Sequence, residues 1–263
     1  MKHTLPEWAL HPDFVAYYAD HRDSPDDLYP SEERFLPWLA RSARSVLDVG
    51  CAAGGFRAIW AHYASEARYE GVDLSPDLVT LARRLHPDSQ FHHGDVLDGI
   101  DLPDRRADVV QALGWLHWVP EQQRALVELW RLAGRFLFFD IRIVADRAAA
   151  GVGRQRIALL GEWDGKTETP YVTLAWTELA RMLAALGPSE IYGYGYWAHP
   201  SETARDVPHD VCMATFVLAR GGAATPTICL DLPLAWPLEA SPGAKILPPE
   251  RLAERVPSGR IER

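Results

Sequence analysis

An apolar run and a turn of small residues follow one another in the stretch Val46-Leu47-Asp48-Val49-Gly50-Cys51-Ala52-Ala53-Gly54-Gly55. The run at 45–49 predicts a buried β-strand, and the residues from 55 to 63 predict a helix. A strand, a tight turn and a helix in this order form the first unit of an open α/β sheet, whose ligand binds beyond the carboxyl ends of the strands. Small side chains in the turn let a ligand approach the backbone closely.

The same alternation of strand and helix continues along the chain. We predict further strands at 69–73, 90–93, 107–113 and 135–140, and helices at 76–85 and 121–133. The strands at 107–113 and 135–140 are apolar almost throughout, which indicates burial on both faces. A strand pair at 191–197 and 211–218 is expected to close one edge. The sequence therefore predicts a doubly wound, mostly parallel Rossmann-like α/β sheet of about seven strands.

Three segments are expected: an N-terminal helical cap at 1–43, the main ligand-binding domain at 44–220, and a Pro-rich C-terminal extension at 221–263. In the cap, two helices are predicted between 7 and 41, the second with Ser31 as a plausible N-cap. The part of the main domain at 146–187 is predicted to be mostly helical. Prolines exclude long regular elements from the extension. We expect an extended tail that packs on the domain or on a neighbouring subunit, and a homodimer through the tail is one such arrangement.

Composition narrows the classes of partner. The chain has 263 residues and a formal net charge of −9, and an acidic surface repels phosphate backbones, so no nucleic-acid partner is expected. The three cysteines lack paired spacing, so neither a metal site nor a disulfide framework is predicted. No stretch reaches the ~18 apolar residues that span a bilayer, and the first residues do not resemble a signal peptide. We therefore expect a cytoplasmic protein without a membrane partner.

Three acidic residues lie at or near the ends of the predicted strands. Asp73 ends the second strand, 25 positions after Asp48, where a carboxylate can take both hydroxyls of a ribose. Asp95 follows the third strand, where it can meet a base edge-on. A dinucleotide fingerprint would require G-x-G-x-x-G, but Gly50 is followed by the non-glycine residues 51–53. Taken alone, the segment could also be the tight strand-to-helix turn that occurs in any doubly wound protein.

Four stretches together resemble the motifs of the S-adenosylmethionine-dependent methyltransferases with a Rossmann-like fold, of the small-molecule type. They are the first turn at 46–54, the ribose-type motif at 71–75, the adenine-type motif at 93–96, and the stretch at 108–120 after the fourth strand. The resemblance covers about residues 44–140. One departure is Ala52, which stands where the family has the middle glycine of the turn.

The resemblance implies S-adenosylmethionine as the cofactor. Asp48 and the backbone of Gly50 would lie by its methionine part, Asp73 by the ribose, and Asp95 by the adenine. Residues from the N-terminal cap, including Tyr17, would close over it. Arg34 could pair with the methionine carboxylate or be an ordinary helix-surface arginine. The full cofactor-binding set is Asp48, Gly50, Cys51, Ala52, Gly54, Asp73, Leu74, Asp95, Val96, Tyr29 and Arg34.

Methyl transfer is an in-line displacement in which the protein aligns the reactants and excludes water. A hydroxyl or amine acceptor must also lose a proton, so a nearby base helps. His117 and Asp140 follow the fourth and fifth strands, and we predict them as a catalytic base and its supporting carboxylate. The alternatives are a structural histidine in the loop and an acid that caps a helix.

The predicted acceptor wall is aromatic, which suits a planar or sugar-like molecule. Its members are Trp115, Trp118, Trp163, Tyr194 and Tyr196. An Asn/Asp-Pro-Pro-aromatic motif, typical of enzymes that methylate nucleobase amino groups, is absent from the sequence after the fourth strand. We therefore predict methyl transfer to an O or N atom of a small molecule or glycan precursor.

Two other functions remain open at the level of sequence. The chain could bind S-adenosylmethionine without catalysis, as a regulatory or scaffold protein. It could also be an NAD(P)-dependent oxidoreductase, although its first turn departs from the dinucleotide fingerprint.

Overall fold

The computed structural model describes residues 12–19, 21–157, 163–223 and 225–257. The strands are β1 Ser45–Val49, β2 Arg68–Asp73, β3 Gln90–His93, β4 Ala107–Ala112, β5 Ala133–Val144, β6 Gly151–Arg156, β7 Glu168–Ala175, β8 Glu190–Ala198, β9 Ala204–Arg205, β10 Val211–Ala219, β11 Thr227–Asp231 and β12 Lys245–Leu247. The helices are α1 Pro12–Tyr18, α2 Pro30–Glu33, α3 Leu36–Ala40, α4 Phe56–Tyr63, α5 Pro76–Leu85, α6 Gln122–Leu132, α7 Trp176–Ala185 and α8 Glu250–Arg255. Short 3-10 turns lie at Pro25–Asp27, Leu116–Trp118, Arg147–Ala149 and Leu238–Ala240.

The described strands form one mixed sheet with a main path in the order β3-β2-β1-β4-β5-β10-β8-β11-β12. Strands β1 to β5 run parallel, and β10 runs antiparallel to both β5 and β8. The predicted doubly wound fold is confirmed, although the sheet has twelve strands in the described part of the chain instead of about seven. The predicted pair of β8 and β10 forms inside the sheet, because β11 and β12 continue it past β8.

Helices cover both faces of the sheet. Neighbouring residues of β1 point to opposite layers, as strand geometry requires: Leu47 packs with the core cluster that contains Leu126 of α6 and Leu179 of α7, whereas Val46 packs with the cluster that contains Leu39 of α3. All five of these side chains are almost fully buried. Burial on both faces explains why the central strands are continuously apolar.

The N-terminus of helix α5 is capped as expected from the sequence. Ser75 is the N-cap and accepts from the backbone N–H of Leu78, and Pro76 takes the first helical position. The helix ends at Leu85, just before Pro87. Helix α5 therefore starts almost directly after β2, and the residues at the end of β2 lie at the same sheet edge as the first turn.

The prediction of a mostly helical segment at 146–187 is wrong for much of its described part. Strands β6 and β7 pair antiparallel there, and β7 adds to β5 through Ile143 and Val144. Only α7 is an α-helix in the described residues of this segment, and residues 158–162 lie outside the description. The β-forming run at 171–174 pairs with distant strands, and this long-range pairing outweighs local helix propensity.

The N-terminal cap is also built differently from the prediction. Its described residues form three short helices, α1 to α3, instead of two longer ones, and residues 7–11 of the predicted first helix lie outside the description. The N-cap of α2 is Tyr29 and not Ser31, since Pro30 already occupies the first helical position.

The segment after Gly221 forms only short elements, β11, β12 and α8. They pack on the main domain: β11 pairs with β8, and Leu252 and Val256 are fully buried in a core cluster. Residues 258–263 of the tail are outside the description. Within the described ranges, no helix combines the length and apolar character that a membrane crossing needs.

Candidate functional site

A cavity of about 780 Å³ is lined together by Asp48, Asp73 and Asp95. These residues come from β1, the end of β2 and the loop after β3, so neighbouring parallel strands bring them to one edge of the sheet. An open α/β sheet binds its ligands at this edge. The three acids predicted from separate motifs therefore share a single space.

The first turn has an unusual backbone. Gly50, Ala52 and Gly54 all have positive φ, at 79°, 49° and 86°. Alanine in this region costs about 1–2 kcal/mol relative to its ordinary conformations, so Ala52 keeps the left-handed backbone that a glycine would adopt without cost. The turn is held to the next strand because the N–H groups of Gly50 and Cys51 donate to the carbonyl of Val72 at 2.8 and 3.1 Å.

Gly50 lies directly under the ring of Trp115. A Cβ at Gly50 would stand 2.4 Å from Trp115 Nε1. The same Nε1 donates to the carbonyl oxygen of Val49 at 2.6 Å. The absence of a side chain thus lets the loop after β4 close onto the first turn.

Asp73 links the first turn to the loop after β2 through hydrogen bonds. Its carboxylate accepts from the backbone N–H of Ala52 and that of Ser75, both at 2.8 Å. Burial raises the pKa of Asp73, and these backbone hydrogen bonds oppose that rise. Each carboxylate oxygen can accept more than one hydrogen bond, so the group is still able to receive ligand hydroxyls from the cavity.

Asp48 is buried, with 3% of its surface exposed. The hydroxyl of Tyr69 donates to Asp48 Oδ2 at 2.5 Å. Burial raises the pKa of Asp48 to about 7, even though the hydrogen bond from Tyr69 acts to lower it. A cationic ligand group beside Asp48 would favour its ionised form.

At the other end of the cavity, Asp95 is positioned by its own loop. The N–H of Leu97 donates to Asp95 Oδ1 at 2.8 Å. The apolar side chains of Leu74, Leu78 and Val96 line the same cavity. This combination can hold a flat aromatic ring and accept a hydrogen bond at its edge.

The cap contributes a cation that the sequence analysis missed. Arg22 lines the cavity, forms an ion pair with Glu32, and lies over the rings of Tyr29 and Phe56 at 4.6 and 4.8 Å from their centroids. Tyr29 also lines the cavity, as expected. Local sequence around Arg22 carries no motif that would have singled it out.

Arg34, predicted either to pair with the methionine carboxylate or to be a helix-surface arginine, is not among the described residues that line the cavity. Its positive charge acts on Cys229 of β11 instead, where it helps to hold the thiol pKa down against burial. Gly54 is likewise absent from the described lining; a Cβ there would meet Phe91 at 2.9 Å, behind the turn.

A buried ion pair lies in the remaining part of the cavity. Asp140 accepts from the Gly114 N–H through Oδ1 and from Arg142 Nη1 through Oδ2, each at 2.6 Å. Burial favours a raised pKa for Asp140, but Arg142 and the hydrogen bonds outweigh it and lower the pKa. Arg142 was not predicted, yet strand alternation places residue 142 on the same face as residue 140, and that signal could have found it.

His117 is buried in the 3-10 turn after β4 and lines the cavity with Tyr171, whose ring centroid is 5.2 Å from its own. Burial and the charge of Arg142 lower the pKa of His117 to about 3, against the opposing charge of Asp140. The imidazole is therefore neutral at neutral pH. Among the described residues no hydrogen bond joins His117 to Asp140, whose oxygens accept from Gly114 and Arg142, and the roles of base and supporting carboxylate stay a prediction.

The predicted aromatic wall is only partly assembled. Trp115, Trp118 and Tyr196 line the cavity, but Trp163 and Tyr194 are not among its described lining residues. Trp163 lies in the loop before β7, where its Nε1 donates to the carbonyl of Thr167 at 2.9 Å. Tyr194 packs against a core cluster, two residues before Tyr196 on β8.

Known proteins share this architecture. Residues 47–135 match the model of the methyltransferase domain family. The chain is 35% identical over 128 residues to a trans-aconitate 2-methyltransferase of Mycolicibacterium gilvum (strain PYR-GCK), covering 47% of this chain and 46% of that protein. It is 37% identical over 113 residues to a trans-aconitate 2-methyltransferase of Rhodococcus jostii (strain RHA1), covering 43% and 41%. The chain thus spans less than half the length of these curated relatives.

Among solved structures, the sugar N-methyltransferase KedS8 from Streptoalloteichus sp ATCC 53650 superposes with a TM-score of 0.51 at 19% identity. The superposition covers 84% of this chain and 96% of that one, and at this identity it supports the fold alone. The motif order, the sheet topology and the family model all indicate the same type of fold. Residues 47–135 are thus similar to a methyltransferase domain, and the sheet that contains them is of the Rossmann-like type.

Proposed function

We propose that this protein transfers the methyl group of S-adenosylmethionine to an O or N atom of a small molecule. The convergence of Asp48, Asp73 and Asp95 on one cavity, together with the small-residue turn at Gly50, carries this proposal. The cavity then extends past Trp115 to a polar region that contains His117 and Arg142. A cofactor and a small acceptor can therefore lie in one enclosed space.

The residues in the part of the cavity that contains the three acids fit this cofactor in chemistry as well as in position. Asp73 would accept from the ribose hydroxyls, Asp95 from the adenine amino group, and Asp48 would face the ammonium of the methionine part. Arg22, which lines the cavity, would pair with the methionine carboxylate in place of Arg34. When bound, the cofactor supplies an electrophilic methyl group on a sulfonium.

The second half of the cavity would hold the acceptor. Trp115 and Trp118 line it, Trp118 Nε1 donates to Gln155 Oε1 of β6 at 2.8 Å, and residues of β6 to β8 complete the wall. The named relatives act on trans-aconitate, a small molecule. A small-molecule acceptor is proposed on these grounds. We also propose a glycan precursor as one kind of acceptor, a homodimer formed through the tail, and a cytoplasmic location.

The test is a calorimetric titration with S-adenosylhomocysteine and with NADH, followed by transfer of a labelled methyl group from S-adenosylmethionine. We expect binding of S-adenosylhomocysteine only. Asp73→Asn should weaken it by about 1–3 kcal/mol, since a hydrogen bond to a charged group is lost. Asp101→Asn, which changes an exposed acid outside the cavity lining, should leave it unchanged.

Other results would redirect the assignment. Binding of NADH would favour an oxidoreductase. Tight binding of S-adenosylhomocysteine without methyl transfer to any small molecule would favour a regulatory or scaffold protein. Equal affinities of the two variants would remove Asp73 from the cofactor site.

A further inference from the structure

Two histidines and an aspartate meet at the surface, just beyond the paired ends of β8 and β10. His199 Nδ1 lies 3.0 Å from one carboxylate oxygen of Asp210, and His209 Nδ1 lies 3.3 Å from the other. The two imidazole rings are 4.3 Å apart between their centroids. Each residue offers a ligand atom within 4.8 Å of those of the other two, and no second group with this spacing occurs among the described histidine, cysteine and acidic residues.

The backbone fixes two of these residues relative to each other. Ala198 and Val211 are the last pair of the β8–β10 ladder. His199 and Asp210 are the next residues along it, and residues directly opposite in an antiparallel pair lie close enough for their side chains to meet. In a regular strand, His209 would point away from Asp210. Its ring reaches the same carboxylate instead, and its carbonyl oxygen lies 3.1 Å from His199 Nδ1.

Ion pairs alone do not explain why both rings turn to one carboxylate. The three side chains are exposed, and exposed ion pairs contribute little to stability. Two protonated imidazoles in contact would also repel each other. Neutral imidazoles are common metal ligands, and each binds an ion through the ring nitrogen that carries no proton. A metal ion between the rings and the carboxylate accounts for the convergence of all three.

The distances suit a small ion. Two ligand atoms that each lie about 2.1 Å from a tetrahedral ion are about 3.4 Å apart. The two nitrogen–oxygen distances, 3.0 and 3.3 Å, are close to that value. Exposure leaves both rings free to rotate toward a common ion. Two imidazoles and a carboxylate suit zinc and related transition metals, whereas Mg²⁺ and Ca²⁺ prefer oxygen ligands.

We propose that His199, His209 and Asp210 bind one divalent transition-metal ion of the zinc type, with water in the remaining coordination positions. The ligand set contains no cysteine, so the spacing of the cysteines gives no sign of it. None of the three residues belongs to the described lining of the cavity. The metal site therefore does not depend on the proposed methyltransferase function.

The bound ion would hold the end of the β8–β10 ladder closed. The loop at 199–210 reaches the cavity, because Ser201 lines it and Thr203 Oγ1 accepts from Gln155 Nε2 at 3.2 Å. Within this loop, β9 pairs with β6. An ion at the base of the loop therefore opposes local opening of this part of the cavity wall.

The experiment uses the full chain without a polyhistidine tag, treated with EDTA and then freed of it. Binding of Zn²⁺ is measured by calorimetry, and binding of Co²⁺ by the visible absorption that a tetrahedral protein site gives it. We expect one strong site per chain for each of the two ions. Mg²⁺ should not bind there, because the site offers two nitrogen ligands.

His199→Ala and Asp210→Asn each remove one ligand and should weaken Zn²⁺ binding at least about tenfold. The matched controls are His62→Ala and Asp101→Asn, which change an exposed histidine and an exposed acid outside the cluster. Both controls should bind Zn²⁺ as the unchanged protein does. All four side chains are exposed, so the variants should keep the fold, and circular dichroism checks this.

Hydrogen exchange measures the effect on the loop. With Zn²⁺ added, the backbone amides of 199–210 should exchange more slowly in the unchanged protein, and at the original rate in His199→Ala. The metal site would be overturned by an absence of Zn²⁺ binding, by equal affinities of His199→Ala and His62→Ala, or by Mg²⁺ binding as tight as that of Zn²⁺. Zn²⁺ binding without slower exchange would overturn the role of the ion at the end of the ladder.

Discussion

At the residue scale, the three acids of the cavity differ in what holds them. Asp73 receives two backbone N–H groups, Asp95 receives one, and Asp48 receives the hydroxyl of Tyr69 in a buried setting. Backbone donors stabilise the ionised carboxylate, whereas burial stabilises the protonated one. The charge state of Asp48 therefore changes near neutral pH.

The raised pKa of Asp48 makes stability depend on pH in a defined direction. The folded protein holds this proton up to about pH 7, whereas an unfolded aspartate releases it near pH ~3.9. The folded state therefore binds more protons between these values, and the stability from Asp48 falls as pH rises through that window. Between pH 5.5 and pH 8.5, we expect the unliganded protein to lose about 2 kcal/mol relative to Asp48→Asn.

Urea unfolding of both proteins at the two pH values measures this difference. The asparagine at position 48 does not titrate, so other groups that titrate over the same range cancel in the comparison. Parallel pH dependence of the two proteins would mean that Asp48 has an ordinary pKa in the fold.

At the element scale, the first turn and the loop after β4 depend on one another. The ring of Trp115 occupies the space over Gly50 and hydrogen-bonds to the carbonyl of Val49. The ring can close this way because Gly50 has no Cβ, and the turn can form because φ of 79° suits glycine. Gly50 and Trp115 both line the cavity at this contact.

Gly50→Ala should therefore destabilise the protein by more than backbone strain alone. Strain at positive φ costs about 1–3 kcal/mol, and displacement of the Trp115 ring adds to it. We expect S-adenosylhomocysteine binding to weaken at least tenfold. Thermal unfolding and calorimetry measure the two effects.

Gly99→Ala is the matched control for that substitution. Gly99 has a φ of 84°, and a Cβ there meets no atom within 4 Å. The Gly99→Ala variant carries the backbone strain without a collision. Its loss of stability should therefore be smaller, and its affinity for S-adenosylhomocysteine should be unchanged. Equal effects of the two substitutions would show that the contact with Trp115 contributes nothing.

At the scale of the whole molecule, the tail after Gly221 belongs to the core of the domain. Strand β11 extends the sheet beyond β8, and Leu252 of α8 is fully buried against the layer that contains α3 and α4. On the other layer, Trp236 packs on Trp176 of α7 at 5.6 Å between ring centroids. The tail therefore contributes to both faces of the sheet.

Leu252→Ala should lower the free energy of unfolding by about 2–5 kcal/mol, because it leaves a cavity in a packed layer. Ligand affinity should be unchanged, since residue 252 does not line the cavity. Leu238→Ala removes a side chain that is 69% exposed in the same tail, and it should change stability by less than about 0.5 kcal/mol. Similar small effects of both substitutions would mean that α8 does not pack on the core.

Local chemistry explains what could be predicted from the sequence. The first strand at Ser45–Val49, the cap at Ser75 and the placement of Asp73 at a strand end each depend on a few neighbouring residues. Once the strands are parallel and adjacent, their carboxyl ends meet at one edge. The convergence of Asp48, Asp73 and Asp95 on one cavity was therefore predictable from motif order, whereas Arg22, which also lines it, comes from a loop without a periodic pattern.

The acceptor half was decided by contacts between distant parts of the chain. Whether 151–175 is helix or strand depended on pairing with β5 and β9, and the engagement of Asp140 depended on Gly114 and Arg142. The sequence by itself determined the order of the strands along the chain and the acids that follow them, because strand propensity and turn chemistry act over a few residues. Only the tertiary structure decided which arginines line the cavity and which aromatic rings pack in the core, because burial is a property of the assembled layers.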